Sequence, residues 1–191
     1  NEIKDQKHNH VVFFFNENKR LIYNDVRKFG FIKFLNNNDF NENLHLKNLG
    51  PEPLGNLFNS AYFSQYIQGR NRTIKDILMD QKFVSGIGNI YANEILFLSK
   101  IKPMRNVKTL KIFELNNILR FIKKVLEKAI KLGGSSIKDF SSSNGKKGEF
   151  QQHFNVYGKK GEPCSSVSCK GKIIKSSMSN RATFFCSICQ K

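Results

Sequence analysis

Residues 85–96 read SGIGNIYANEIL, and the organisation of the whole chain can be worked outward from them. Two glycines, Gly86 and Gly88, stand directly before Asn89 and an amphipathic run. A turn requires one glycine at most, so a pair ahead of a helix start leaves the backbone open to close approach. A helix N-terminus carries free N–H groups and a partial positive charge, and forms a seat for phosphate when no side chain blocks it. The plainer alternative is that the glycines only cap the preceding helix. That helix is predicted in TIKDILMDQK, residues 73–82, where Thr73 and Asp76 have capping-box spacing. Together the two segments form a helix–turn–helix pair with the glycines in the turn.

On the C-terminal side, residues 109–132 place Leu110, Phe113, Ile118, Ile122, Val125 and Leu126 near one helical face, closed by Gly133 and Gly134. On the N-terminal side, NLFNSAYFSQYI (56–67) reads as a short helix, and Pro103 is the expected stop of the helix that begins at Asn89. Further upstream the period changes. HVVFFF and RLIYND, separated by the polar NENK, predict a β-hairpin, and FGFIKFL (29–35) is a candidate third strand. GPEPLG (50–55) breaks regular structure between the β part and the helical part. The fold class is therefore α+β in three parts, 1–50, 51–150 and 151–191, with no internal repeat.

Lys and Arg number 32 against 15 Asp and Glu, a formal charge of +17, which favours a polyanionic partner and nucleic acid before a membrane surface. No apolar run approaches the roughly 20 residues of a bilayer span. The opening NEIKDQKHNH contains no apolar export segment, so an intracellular protein is expected. All four cysteines lie near the end as Cys164-x4-Cys169, sixteen residues, then Cys186-x2-Cys189. Two short-spaced pairs around a hairpin-length insert suit one structural Zn²⁺ held by four thiolates. Two disulfides or buried free thiols are the alternatives. Arg181 falls on the insert, where a metal-held hairpin would aim its guanidinium at a phosphate; a solvated basic surface is the bland reading. Residues 141–191 carry nine Lys or Arg against two Glu.

LMDQKFVSGIGNIYANEILFLSKIKP resembles the helix–two-turns–helix motif of formamidopyrimidine-DNA glycosylases, a bacterial base-excision repair family. YNDVRKFGF, LGPEPL, VYGKKGEPC and RATFFCSICQK resemble further motifs of that family in the same order, so the resemblance covers nearly the whole chain. It implies a partial N-terminal β-sandwich, a helix–two-turns–helix domain and a C-terminal zinc finger. The implied activity is that of a bifunctional DNA glycosylase/AP lyase, removing oxidised purines and cutting by β,δ-elimination. Its implied partner is double-stranded DNA with damaged bases or abasic sites, met by a monomer in the bacterial cytoplasm at the nucleoid.

Residue by residue, the resemblance makes Asn89, beside Gly88, a holder of phosphates, and Arg181 a second contact to the same backbone. The family also assigns that Arg as proton donor in δ-elimination, although a guanidinium with a pKa above about 12 is an awkward acid. Arg27 and Phe29 are similar to the pair filling the gap left by an everted base. His8 and Asn71 fall at DNA-contact positions, Asn71 where the family often has Lys, and Ser135–Phe150 resembles the loop over the lesion. Departures are the longer first cysteine knuckle, Val26 in place of a Pro, and the start NEIK. The family's N-terminal Pro nucleophile, its Glu acid and a β-domain Lys have no counterpart here, and no role passes to Glu2. Competing readings are a non-catalytic zinc-ribbon DNA-binding protein and the endonuclease VIII branch acting on oxidised pyrimidines.

Overall fold

The structure is a computed structural model that describes residues 7–36, 39, 42–135 and 148–191. The chain forms two compact units, residues 1–41 and 42–191.

In the first unit, β1 (Asn9–Phe14) and β2 (Arg20–Asn24) pair antiparallel, with Val12 opposite Ile22 and Phe13 opposite Leu21. Glu17 and Asn18 take left-handed φ of 63° and 58°, the backbone that tight hairpin turns favour because its twist matches the strands. FGFIKFL forms no strand, contrary to expectation. The Asp25 carboxylate accepts from the Gly30 N–H (2.8 Å), folding the chain back on the end of β2 rather than alongside it. Phe14, Leu21 and Phe34 stay exposed at 71%, 54% and 88%, so this hairpin buries little apolar surface.

The second unit opens with a single turn, α1 (Leu44–Lys47), and α2 (Ser60–Ile67), whose N-cap Asn59 accepts from the Tyr62 N–H. Phe58, Phe63 and Phe83 pack edge and face within 4.8–6.3 Å of one another at the base of the core. α3 is shorter than the sequence pattern indicates, Ile74–Leu78, with Thr73 capping the Asp76 N–H as expected. It stops because the Asp80 carboxylate takes the Lys82 N–H and pairs with Arg72, turning Phe83 and Val84 into the core. α4 spans Asn89–Leu98 and ends at Ser99, with Lys100 left-handed at φ 62°, shortly before Pro103. α5 (Ile112–Lys131) buries Leu115, Ile118, Ile122, Val125 and Ala129 at helical spacing. Phe113, expected on that face, is 64% exposed, because the helix begins only at Ile112 and its first turn projects past the core.

β3 (Ile173–Met178) and β4 (Arg181–Cys186) close the chain as an antiparallel hairpin, turning at Ser179 and Asn180 with φ 48° and 59°. The fold is thus α+β: a β-hairpin unit, a helical core and a C-terminal hairpin. Most of the expected lesion loop, residues 136–147, lies outside the described residues. No described helix is long and apolar enough to cross a membrane.

Candidate nucleic-acid interface

The tip of α4 is bare in the way its glycines predict. Gly86 has φ +82°, which disfavours any side chain, and its N–H donates to Gln81 Oε1 (2.8 Å). The Gln81 amide in turn donates to the Ile87 carbonyl (3.1 Å), fixing the turn from within. Gly88, the N-cap, is extended at φ −102°, so its conformation does not demand glycine. A Cβ on Gly86 or Gly88 would meet no protein atom within 4 Å, and α4 has no side-chain cap. What the second glycine provides is open access to a positive helix end.

The β3–β4 hairpin is docked against that tip. Asn89 Nδ2 donates to the Ala182 carbonyl (2.9 Å), immediately after Arg181. One turn along α4, Asn93 Oδ1 accepts from the Phe184 N–H (2.7 Å). From the other side Ser179 donates to Asp76 Oδ1 (2.8 Å), and Lys75 Nζ donates to Thr183 Oγ1 (2.6 Å) and to the Ala182 carbonyl (3.3 Å). Lys75 is 1% exposed; burial pushes its amine down to about 8, Asp76 partly opposes this, and Arg181 adds to it. Arg181 is exposed and takes part in no ion pair among the described residues. Helix tip, buried ammonium and guanidinium therefore converge without a carboxylate on the Arg, which is an anion-accepting arrangement.

The other residues singled out in the sequence have distinct surroundings. Asn71 is exposed, and its Oδ1 accepts from Asn106 Nδ2 (2.6 Å), which restrains the side chain. In the first unit the Arg27 guanidinium lies 4.6 Å over the Phe29 ring, and Phe29 is 77% exposed. Their loop is built by Asp25, which accepts from the N–H groups of Arg27, Lys28 and Gly30. The Gly30 N–H foremost among these donors holds the Asp25 carboxyl below its ordinary pKa. The His8 carbonyl accepts from the Asp25 N–H (3.0 Å), tying the head of β1 to that loop.

The four cysteines come together. Their sulfurs lie within 4.8 Å of one another, with Cys164–Cys189 at 3.7 Å and Cys169–Cys186 at 3.6 Å. A tetrahedral Zn²⁺ with bonds of about 2.3 Å needs sulfur separations of about 3.8 Å, so the set fits a four-thiolate ion. The N–H groups of Ser166 and Gly171 point at Cys164 and Cys169 (3.5 and 3.4 Å). A Cβ on Gly171 would stand 2.6 Å from the Cys186 sulfur, so this glycine is needed for close approach. Burial raises the Cys164 thiol but Ser166 and neighbouring thiols outweigh it, leaving it at about 7; burial pushes Cys189 up to about 12. Sulfurs this close resist ionising together unless a cation neutralises them. All four are free cysteines, which leaves the disulfide alternative without support.

Several residues that organise the site carry little signal in the sequence. Glu94 is buried and accepts from the backbone N–H groups of Asn155, Val156 and Tyr157 and from the Asn155 amide, fastening the strap that leads to the cysteines. A carboxylate amid the apolar positions of α4 is the sole clue to it. Asp25, by contrast, could be found from its place just ahead of a glycine-containing turn.

Residues 49–141 match the family model described as the formamidopyrimidine-DNA glycosylase H2TH domain. The chain is 40% identical over 186 residues to the formamidopyrimidine-DNA glycosylase of Ruegeria pomeroyi, covering 97% of this chain and 66% of that protein. It is 42% identical over 185 residues to that of Listeria innocua, covering 97% and 67%. The chain thus spans about two thirds of the length of these curated relatives. Among solved structures it is similar to Lactococcus lactis Fpg in complex with an abasic-site-containing DNA, at TM-score 0.90 and 36% identity, covering 100% of this chain and 69% of that one. MutM (Fpg) of Thermus thermophilus is similar at TM-score 0.89 and 33% identity, over 98% and 70%.

Proposed function

The chain belongs to the formamidopyrimidine-DNA glycosylase family, and from that premise we propose that it is the DNA-clamping portion of a bifunctional DNA glycosylase/AP lyase. The activity in which it takes part removes oxidised purines and cuts the strand by β,δ-elimination, on double-stranded DNA in the bacterial cytoplasm at the nucleoid. One observation carries the reading: Asn89, at a helix tip with no capping side chain, is bonded to the residue that follows Arg181. This bond, between residues 93 positions apart in sequence, aims two phosphate-seeking groups together.

In this reading residues 51–150 hold DNA through α3 and α4, and residues 151–191 form a zinc finger. Residues 1–50 are the end of a β domain. Asn89 and the α4 N–H groups, with Gly88 giving access, hold phosphates flanking the damaged nucleotide. Arg181 clamps the same backbone, and its permanent charge suits electrostatic stabilisation more than proton donation. Arg27 and Phe29 fill the void behind an extruded base, the ring unstacking the step and the guanidinium satisfying the orphaned partner. His8 and Asn71 each add a contact to DNA. One Zn²⁺ on Cys164, Cys169, Cys186 and Cys189 supplies structural closure of the hairpin and no chemistry at the sugar.

The test is binding and trapping. The 191-residue polypeptide should bind duplex DNA with an abasic-site analogue more tightly than undamaged duplex. Borohydride should trap no covalent adduct, because the family's nucleophile is an N-terminal Pro amine that these residues do not carry. An adduct formed by this polypeptide alone would show the nucleophile to be elsewhere. Equal affinity for damaged and undamaged duplex would favour a plain DNA-binding role.

A further inference from the structure

The first cysteine knuckle holds four residues between Cys164 and Cys169, and one of them reaches out of the knuckle. Ser166, inside that knuckle, accepts a hydrogen bond from the Lys100 ammonium, which also lies 3.7 Å from the Cys189 sulfur. Cys189 is 3.7 Å from the same Ser166 hydroxyl. Lys100 thus joins one residue of the first pair's loop to one ligand of the second pair.

Lys100 is held in place by more than these contacts. It sits in the left-handed region at the end of α4, a conformation that non-glycine residues adopt at a cost. Its N–H donates to the Phe97 carbonyl (3.1 Å), and its own carbonyl accepts from the Lys191 N–H (3.0 Å). Its ammonium lies 4.7 Å over the Phe97 ring, a ring buried against Cys164 and Cys186. The Ser166 and Gly171 N–H groups already donate to Cys164 and Cys169, whereas the group reaching Cys189 is a full positive charge.

Resting on the four-thiolate reading above, we propose that Lys100 is an outer-sphere cation of the metal centre that slows loss of the ion. A dication bound by four thiolates leaves a net negative cluster, and a nearby ammonium stabilises it by Coulomb attraction. Ser166 orients the ammonium and ties down the lengthened knuckle. Arg120 donates to Asn117 Oδ1 and lies over the Phe121 ring, and the Lys102 ammonium lies 6.0 Å from the Phe185 ring.

The experiment measures zinc transfer from the purified chain to a chromogenic chelator at fixed neutral pH, with elemental analysis of zinc per chain beforehand. K100M should release zinc about five- to tenfold faster at low salt, with K100R close to wild type and S166A between them. The gap should shrink as ionic strength approaches about 1 M, where charges are screened within about 3 Å. Release by K100M and K100Q at the wild-type rate would overturn the proposal. A gap indifferent to salt would also overturn it, showing that packing on Phe97 is what counts. A wild-type chain that holds no zinc would instead overturn the metal reading itself.

Discussion

Replacing Lys75 by Met makes the sharpest test of how the hairpin is seated on the helices. Lys75 is 1% exposed, and its amine titrates at about 8 in the folded chain against an ordinary 10.5. Below pH 8 both folded and unfolded chains carry the proton, and the cost of burying the charge is fully present. Between about 8 and 10.5 the unfolded chain binds more protons, so stability rises with pH across that window. At about 1.36 kcal/mol per unit, the rise from pH 7 to pH 10 comes to about 2–3 kcal/mol. Lys75→Met has no proton to lose and should lack this rise. Urea unfolding of both proteins over that range gives the difference curve, in which the titration of every other group cancels. Thr183 and the Ala182 carbonyl lose a donor in the variant, an offset that does not change with pH. Parallel stability curves would refute the account, because the ammonium would then have to keep its ordinary affinity for protons in its buried place.

Arg181→Ala should weaken binding to abasic duplex and reduce the dependence of log affinity on log salt by about one, read from fluorescence anisotropy titrations at several salt concentrations. Gly171→Ala places a methyl 2.6 Å from the Cys186 sulfur, so zinc content after dialysis against chelator should fall well below wild type. Glu94→Gln exchanges an oxygen that accepts two N–H groups for an amide that can accept none. It should cost about 2–3 kcal/mol in urea unfolding while leaving α5 helicity intact. Removing the metal with chelator should lower affinity for abasic duplex while circular dichroism retains the helical signal, because the helical core is continuous without the cysteines.

The elements that sequence made legible are those whose cause is local. The capping pair at Thr73 and Asp76, the spacing of apolar residues in α5 and the turn at Gly86 depend on neighbours a few positions away. The cysteine spacing was equally readable, since two knuckles and a hairpin insert leave few other arrangements. What escaped depends on residues far apart in sequence or on competition between local and tertiary demands. In FGFIKFL the apolar, β-rich composition points to a strand, and the turn signal of Asp25 ahead of Gly30 wins instead, the carboxylate claiming the Gly30 N–H and bending the segment away. The early stop of α3 follows from the Asp80–Arg72 pair and the pull of Phe83 into the core, a tertiary override of a good helical pattern. In the candidate site, Asn89 and Arg181 were identifiable by resemblance to a family. Lys75, Asn93 and Glu94 were not, because their partners lie 61 to 108 residues away.

α4 has a different occupation at each end: its first turn bonds the carbonyl that follows Arg181, and the residues just past its last turn meet the sulfurs. Ten residues of helix span about 15 Å, a distance over which a rod of this kind scarcely bends. A shift of the knuckle would therefore be transmitted as a tilt, swinging Asn89 off the Ala182 carbonyl and moving Arg181 with the hairpin. On the proposed function, the grip on a sugar–phosphate chain and the occupancy of the sulfur cage would be, mechanically, two readings of one lever.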